Sequence, residues 1–198
     1  MELSPSMVVE VASNSSAGFG IRFAARFIDG VFGVLVYYAG GMVGGFTVGI
    51  LAAMGHIPGE WRATMEPLSP VSLLLVLAGG VLYQVLAEAV GGASLGKLLL
   101  RLRVTSEDLT PCTFKGALIR NTAYFLDAFL FGLPAWRAMS NSLLSQRYGD
   151  QWGRTVVMRA SAVPPDSRQS KGLLTLGILS GATVWGSLVA LSIVLSVR

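Results

Sequence analysis

Histidine and cysteine are almost missing from this chain: His56 and Cys112 are the only ones of their kinds in 198 residues. One cysteine forms no intramolecular disulfide, and one histidine beside it makes no Cys/His zinc set. A disulfide-stapled secreted module and a zinc centre are therefore excluded, and neither metal nor cofactor is expected. Charge is scarce too, at 13% of residues against roughly 25% in an ordinary soluble domain. So little charge, with a mean hydropathy of +0.62, does not suit a water-exposed surface, which excludes a soluble enzyme and a disordered chain. No GxSxG, HExxH or Cys–His couple is found, so catalytic residues are expected to be none and the protein is read as a non-enzyme. What remains is apolar: 53% hydrophobic residues and 24 glycines, with a net charge of +4. The basic residues flank the apolar blocks, which points to membrane topology and not to nucleic acid.

Three blocks, 27–54, 71–89 and 172–197, are long enough to cross a bilayer, since roughly 20 residues suffice. They read as helices, because open strands leave backbone groups unpaired in lipid. Residues 1–18 are polar and Ser-rich without the features of a signal peptide, and are expected as a disordered tail. The division predicted is a tail at 1–18, a membrane domain at 19–160, a linker at 161–171 and a further span at 172–198. In the first span Gly41, Gly45 and Gly49 recur every fourth residue, with Gly40 and Gly44 on the adjoining stripe. Such small residues let helix backbones approach closely and offer a face for self-association as a homo-oligomer.

Between the second and third spans the pattern changes. Residues 100–104 and 154–158 alternate as short strands do. Between them, 114–136 is apolar but carries Arg120, Asn121 and Asp127, and is broken by Gly132-Leu133-Pro134. If this stretch crosses the membrane, eight basic residues fall inside and seven outside. If it enters and returns, thirteen fall inside and two, Arg62 and Arg198, outside. The positive-inside rule favours the second arrangement. The fold expected is an all-α membrane protein: three transmembrane helices plus a re-entrant or interfacial helical hairpin over 114–145, with a small cytoplasmic β-ribbon. The N-terminus is placed in the cytoplasm.

Arg22 and Asp29 open the first span with the same spacing by which Arg120 and Asp127 open the hairpin. Seven residues put each pair on one helix face about 10 Å apart, too far for a direct bond. Antiparallel packing would instead join Arg22 to Asp127 and Asp29 to Arg120. Glu88, near the inner end of the second span, is a fifth candidate. Each charge at mid-membrane costs about 2.5–3.5 kcal/mol, so these groups must be paired, interfacial or wet. Two readings stay open: a static ion-pair lock, or a polar cavity whose carboxylates bind a cation or proton. Lys97, Arg101, Arg103, Arg147 and Arg154 form a basic layer suited to anionic lipid headgroups or a partner protein. Gly91-Gly92-Ala93-Ser94-Leu95-Gly96-Lys97 has phosphate-loop spacing, but Leu98 stands where Ser or Thr is needed. The glycines are read as ending the second helix, with Lys97 anchored at the headgroups.

Gly18-Phe19-Gly20-Ile21-Arg22-Phe23-Ala24-Ala25-Arg26-Phe27-Ile28-Asp29 resembles the opening of the RDD family of bacterial membrane proteins. The likeness continues through Ser94-Leu95-Gly96-Lys97, Leu102-Arg103-Val104, Arg120-Asn121 with Asp127, Gln146-Arg147-Tyr148-Gly149-Asp150 and Thr155-Val156-Val157. By this resemblance the signature arginine is Arg22 and the two signature aspartates are Asp29 and Asp127. The family pattern usually has Thr where Ser94 stands and Gly where Leu100 or Arg101 stands, and the span after Gly172 looks like an addition. The resemblance implies a multi-pass protein of the bacterial inner membrane with a transport role, cation/proton antiport included. Asp29 and Asp127 would then exchange the ion, tuned by Arg22 and Arg120. The rival expectation is a non-transporting scaffold or accessory subunit holding anionic lipid or a partner through its basic face.

Overall fold

The computed structural model describes residues 5–57 and 69–196. Most of the polar connection between the first two spans, with Arg62, and also Arg198, lie outside the described residues. The elements run α1 (Pro5–Ser15), α2 (Phe19–Ala53), α3 (Pro70–Gly91), α4 (Leu95–Leu99), β1 (Leu102–Ser106), α5 (Phe114–Thr122), α6 (Tyr124–Asp127), α7 (Phe129–Ser140), α8 (Tyr148–Trp152), β2 (Thr155–Arg159) and α9 (Lys171–Ser196). The protein is thus a mostly helical membrane protein with a two-stranded sheet, and α2, α3 and α9 are long and apolar enough to span.

At 35 residues, α2 is about 52 Å long. That exceeds the roughly 30 Å of bilayer hydrocarbon, so one end of it projects beyond the core. α3 opens on Ser69, whose Oγ accepts the Ser72 N–H at 3.1 Å, with Pro70 in the first turn where its missing donor costs nothing. It closes on Gly92 in the left-handed conformation, φ 72°, as the glycine-rich spacing predicts. α9 lies between α2 and α3. It runs antiparallel to α3, with Gly181 against Tyr83 and Ser192 beside Ser72, and parallel to α2, with Gly186 and Ala190 against Gly40 and Gly44. Trp185 fills the bundle against Gly33 and Gly79 and donates its indole N–H to the Val76 carbonyl at 3.0 Å. The packed stripe of α2 is therefore Gly40 and Gly44. Gly45 and Gly49, on the stripe singled out above, have open space beside them.

The remaining elements form a headpiece at the N-terminal end of α2. β1 and β2 pair antiparallel, Val104 opposite Val157, two residues and one residue further along than the alternation alone places them. Their pairing brings both ends of the 114–145 stretch together, as the charge count requires. The chain reverses at Leu130, Phe131 and Gly132, three successive residues with φ of 45°, 58° and 87°. Pro134 sits in the first turn after that reversal, where proline is tolerated, and so begins the second arm instead of breaking it. The apolar side chains of Phe125, Phe129, Phe131 and Trp136 are exposed around the turn. None of the described lysines and arginines lies on α2 beyond Arg26, on α3, or on α9 beyond Lys171.

One expectation is overturned at the start of the chain. Residues 5–15 are helical, not a disordered tail. Ala12 packs with Leu109, Met158 and Val163, and the Ala17 N–H donates to the Val157 carbonyl at 2.8 Å. Small residues in a Ser-rich stretch hid this docking, because the burial comes from partners more than 90 positions away.

Candidate functional site

The headpiece meets the bundle through a buried charge cluster. Asp150, at the third position of α8, is its centre. Its Oδ2 is 2.6 Å from Arg22 Nη1, and its Oδ1 is 2.9 Å from Arg120 Nη2 and 3.3 Å from Arg147 Nη2. Arg22 also donates to the carbonyls of Ala17 and Val157, so one guanidinium ties α2, α8 and β2 together. Glu88 makes the second node, 2.8 Å from Lys97 Nζ and 3.4 Å from Arg120 Nη1. Asn121 donates its side-chain amide to Glu88 Oε2 at 2.8 Å. Arg120 bridges the two nodes and is 1% exposed.

Asp29 has no arginine partner among the described residues. Its carboxylate accepts from Ser94 Oγ at 2.6 Å, from the Gly96 N–H at 2.8 Å and from Tyr83 Oη at 3.3 Å. It thereby fastens α4 to α2, where a side chain on Gly96 would strike the Ala25 carbonyl. Asp127 accepts the Gly149 N–H at 3.3 Å, and its Oδ2 is 3.9 Å from Arg147 Nε. α5 and α8 can approach this closely because Gly116 and Gly153 face each other, a Cβ on either meeting the other's carbonyl oxygen.

Four cations (Arg22, Lys97, Arg120, Arg147) thus face four carboxylates (Asp29, Glu88, Asp127, Asp150). Burial alone would raise the Asp150 carboxyl, but Arg147, Arg120 and Arg22 outweigh it and hold the group well below the usual carboxylate range. Burial pushes Lys97 down against the pull of Glu88 and Asp29. Asp127 is raised, because burial exceeds the help it receives from Arg147 and Gly149.

Both expected cross-pairs are absent. Arg22 takes Asp150 and not Asp127, and Arg120 takes Glu88 and Asp150 and not Asp29. The two-helix argument left out α8, which inserts between the arms and supplies the missing carboxylate. Asp150 stood in the sequence three residues after Arg147, inside the Gln146–Asp150 run, but with three carboxylates already set against two arginines nothing in the charge count called for a fourth. The basic layer divides as well. Lys97 and Arg147 belong to the buried network, not to a headgroup-facing surface. Arg103 is half-buried and donates to the Gly91 carbonyl. Arg101 and Arg154 are exposed.

A cavity of about 130 Å³ adjoins the network between the start of α2 and the α6–α7 reversal. Arg22, Arg26, Arg147 and Asp127 give it a polar wall, and Phe19, Phe23, Phe131 and Met139 an apolar one. Among the described residues no cluster of three or more His, Cys, Asp and Glu is placed to hold a metal ion.

In comparison with known proteins, the model of the RDD family matches residues 16–157, a range that holds every member of the network and stops short of α9. No curated protein and no solved structure matches the chain.

Proposed function

The chain belongs to the RDD family, and from that premise we propose that it is a non-transporting, non-enzymatic membrane scaffold or accessory subunit and not a cation/proton exchanger. The observation that carries this reading is the closed, four-to-four network. Its carboxylates Asp29, Glu88, Asp127 and Asp150 are each at most 3% exposed, and each is held by protein donors. An exchanging carboxylate has to shed its partners and meet water. These instead hold α2, α3, α4, α5 and α8 in one arrangement, which suits a lock. Removing a fully paired member such as Asp150 costs about 3–5 kcal/mol, a barrier to any cycle that opens the set. The lock presents exposed Arg101 and Arg154 to anionic lipid or a partner protein, each worth about 1 kcal/mol at an anionic surface.

We place the headpiece and N-terminus in the cytoplasm by the positive-inside rule, and the membrane as the bacterial plasma membrane from what the family resemblance implies. The open Gly45–Gly49 face of α2 suits a second copy of the chain. The transport reading rests on Asp127, raised by burial and bordering the cavity. Proteoliposomes with an internal pH reporter separate the two. The expected result is no proton movement on cation addition beyond that of protein-free vesicles. A cation-dependent signal that Asp127→Asn abolishes overturns the scaffold reading.

A further inference from the structure

Arg26 is left over from the network. Its guanidinium lies 4.0 Å above the Tyr124 ring, and it has no carboxylate partner among the described residues. Arg22 and Arg147, which share its cavity, are both committed to Asp150. With Arg22, Arg147 and Asp127 balanced within the four-to-four network, Arg26 leaves the cavity wall one positive charge in excess. A second group there lacks a partner: Asp127 is 1% exposed, and its Oδ1 has no hydrogen bond among the described residues. The site therefore offers a cation wanting an anion and, beside it, an acceptor wanting a donor.

The rim says where such a ligand comes from. Phe23 and Phe27 on α2 are 60% and 67% exposed, and Phe131 at the reversal is 98% exposed. They make an apolar border that runs from the cavity mouth onto the outward face of a membrane-spanning helix. A soluble anion gains nothing from that border, whereas an acyl chain does. The cavity, at about 130 Å³, is smaller than the roughly 300–1,000 Å³ of sites that enclose a drug-sized molecule. It fits a compact charged group whose chains remain outside.

We propose that this cavity seats the headgroup of one anionic phospholipid, its phosphate on Arg26, a headgroup hydroxyl toward Asp127, and its chains along Phe23, Phe27 and Phe131. This deepens the lipid-contact part of the proposed function and rests on it only for the membrane placement of α2. The three phenylalanines and Arg26 are then one recognition surface, distinct from exposed Arg101 and Arg154.

The test is native mass spectrometry of the full chain in detergent, offered phosphatidylglycerol or phosphatidylcholine with identical acyl chains. The expected result is preferential retention of phosphatidylglycerol, weakened roughly fivefold by Arg26→Gln, the effect of one cation at an anionic surface. Arg26→Lys should keep the preference, and so should Lys115→Gln, which alters an exposed charge away from the cavity. Excess inorganic phosphate should leave the bound lipid in place. Equal retention of the two lipids, or an Arg26→Gln variant that melts and binds as the parent does, overturns the proposal. Displacement by inorganic phosphate overturns it in favour of a soluble-anion site. A proton-flux signal in liposomes would overturn the scaffold reading and leave this lipid result standing.

Discussion

Arg22 and Asp150 meet at 2.6 Å although 128 positions separate them, and that contact closes the headpiece onto the first spanning helix. Arg22 belongs to α2 and Asp150 to α8, so the pair fixes the last part of the family-matched region against its first. Because Arg120 and Arg147 share the same carboxylate, loss of Asp150 takes an ion-pair partner from three guanidinium groups at once and leaves Arg22 with no carboxylate among the described residues.

Asp150→Asn should therefore destabilise the protein by about 3–5 kcal/mol, while Asp127→Asn should change stability by no more than about 1 kcal/mol at neutral pH. The asymmetry follows from opposite shifts: the Asp150 carboxyl is held low by its arginines, the Asp127 carboxyl is raised by burial. For Asp150 the lowered value means that its contribution is present above the ordinary carboxylate range and lost only as pH falls below it. For Asp127 the raised value gives the opposite sign, a contribution that weakens as pH rises. Thermal unfolding of the parent and the two variants in detergent at pH 7, pH 5 and pH 3 checks both the ranking and the signs. A more severe Asp127→Asn contradicts it.

Gly44→Leu should disrupt the bundle, since a Cβ there already meets the Ala190 backbone at 2.8 Å. Gly45→Leu, one residue on and facing open space, should leave the melting temperature of the protomer unchanged. If the open stripe joins two copies, the second variant lowers the yield of cross-linked dimer in membranes. Unchanged cross-linking removes that stripe from the interface.

A cysteine placed at Asn141 in a Cys112→Ser background reports on the returning arm, because Asn141 is exposed just beyond α7. An impermeant maleimide should label it in inside-out vesicles and not in intact cells. Labelling in intact cells would put the arm, and with it the headpiece, on the outer side.

Cys112 itself should be inert in the folded protein. It is buried, and burial pushes its thiol up to about 12, against about 8.5 for a free cysteine. The raised value makes its contribution to stability complete below pH 8.5 or so, fading as pH climbs toward the folded value. Iodoacetamide at pH 8 should modify Cys112 only after denaturant is added, which makes the thiol a reporter of unfolding. Rapid native-state alkylation contradicts this burial.

Residue type and spacing were enough for the spans and the returning hairpin, since lipid imposes length, hydropathy and charge asymmetry on each segment separately. They were also enough to put Arg22, Asp29, Glu88, Arg120 and Asp127 in one buried neighbourhood, because isolated charges are too costly there. The partners were not legible. Which carboxylate an arginine takes depends on α8, a five-residue helix whose position is set by the Gly116–Gly153 approach, not by any local pattern. Lys97 misled for a related reason: beside leucines it resembles an interfacial anchor, and only the fold of α4 onto Asp29 turns it inward toward Glu88. The Ser-rich start of the chain misled because its buried docking residues Ala12 and Ala17 are too small to stand out.

The place of α9 between the other two spans has a consequence for assembly. α2 and α3 touch near the headpiece, through Phe32, Tyr83 and Asp29, but farther along the glycines of both open onto Trp185. Domains form from their N-terminal parts first during synthesis, and every member of the charge network precedes α9 in the chain and so emerges before it. The polar lock can therefore set while the two membrane helices still have an unfilled seam between them. Arrival of α9 zips that seam shut, so the nascent protein passes through a stage that is finished at the membrane surface and unfinished within the lipid.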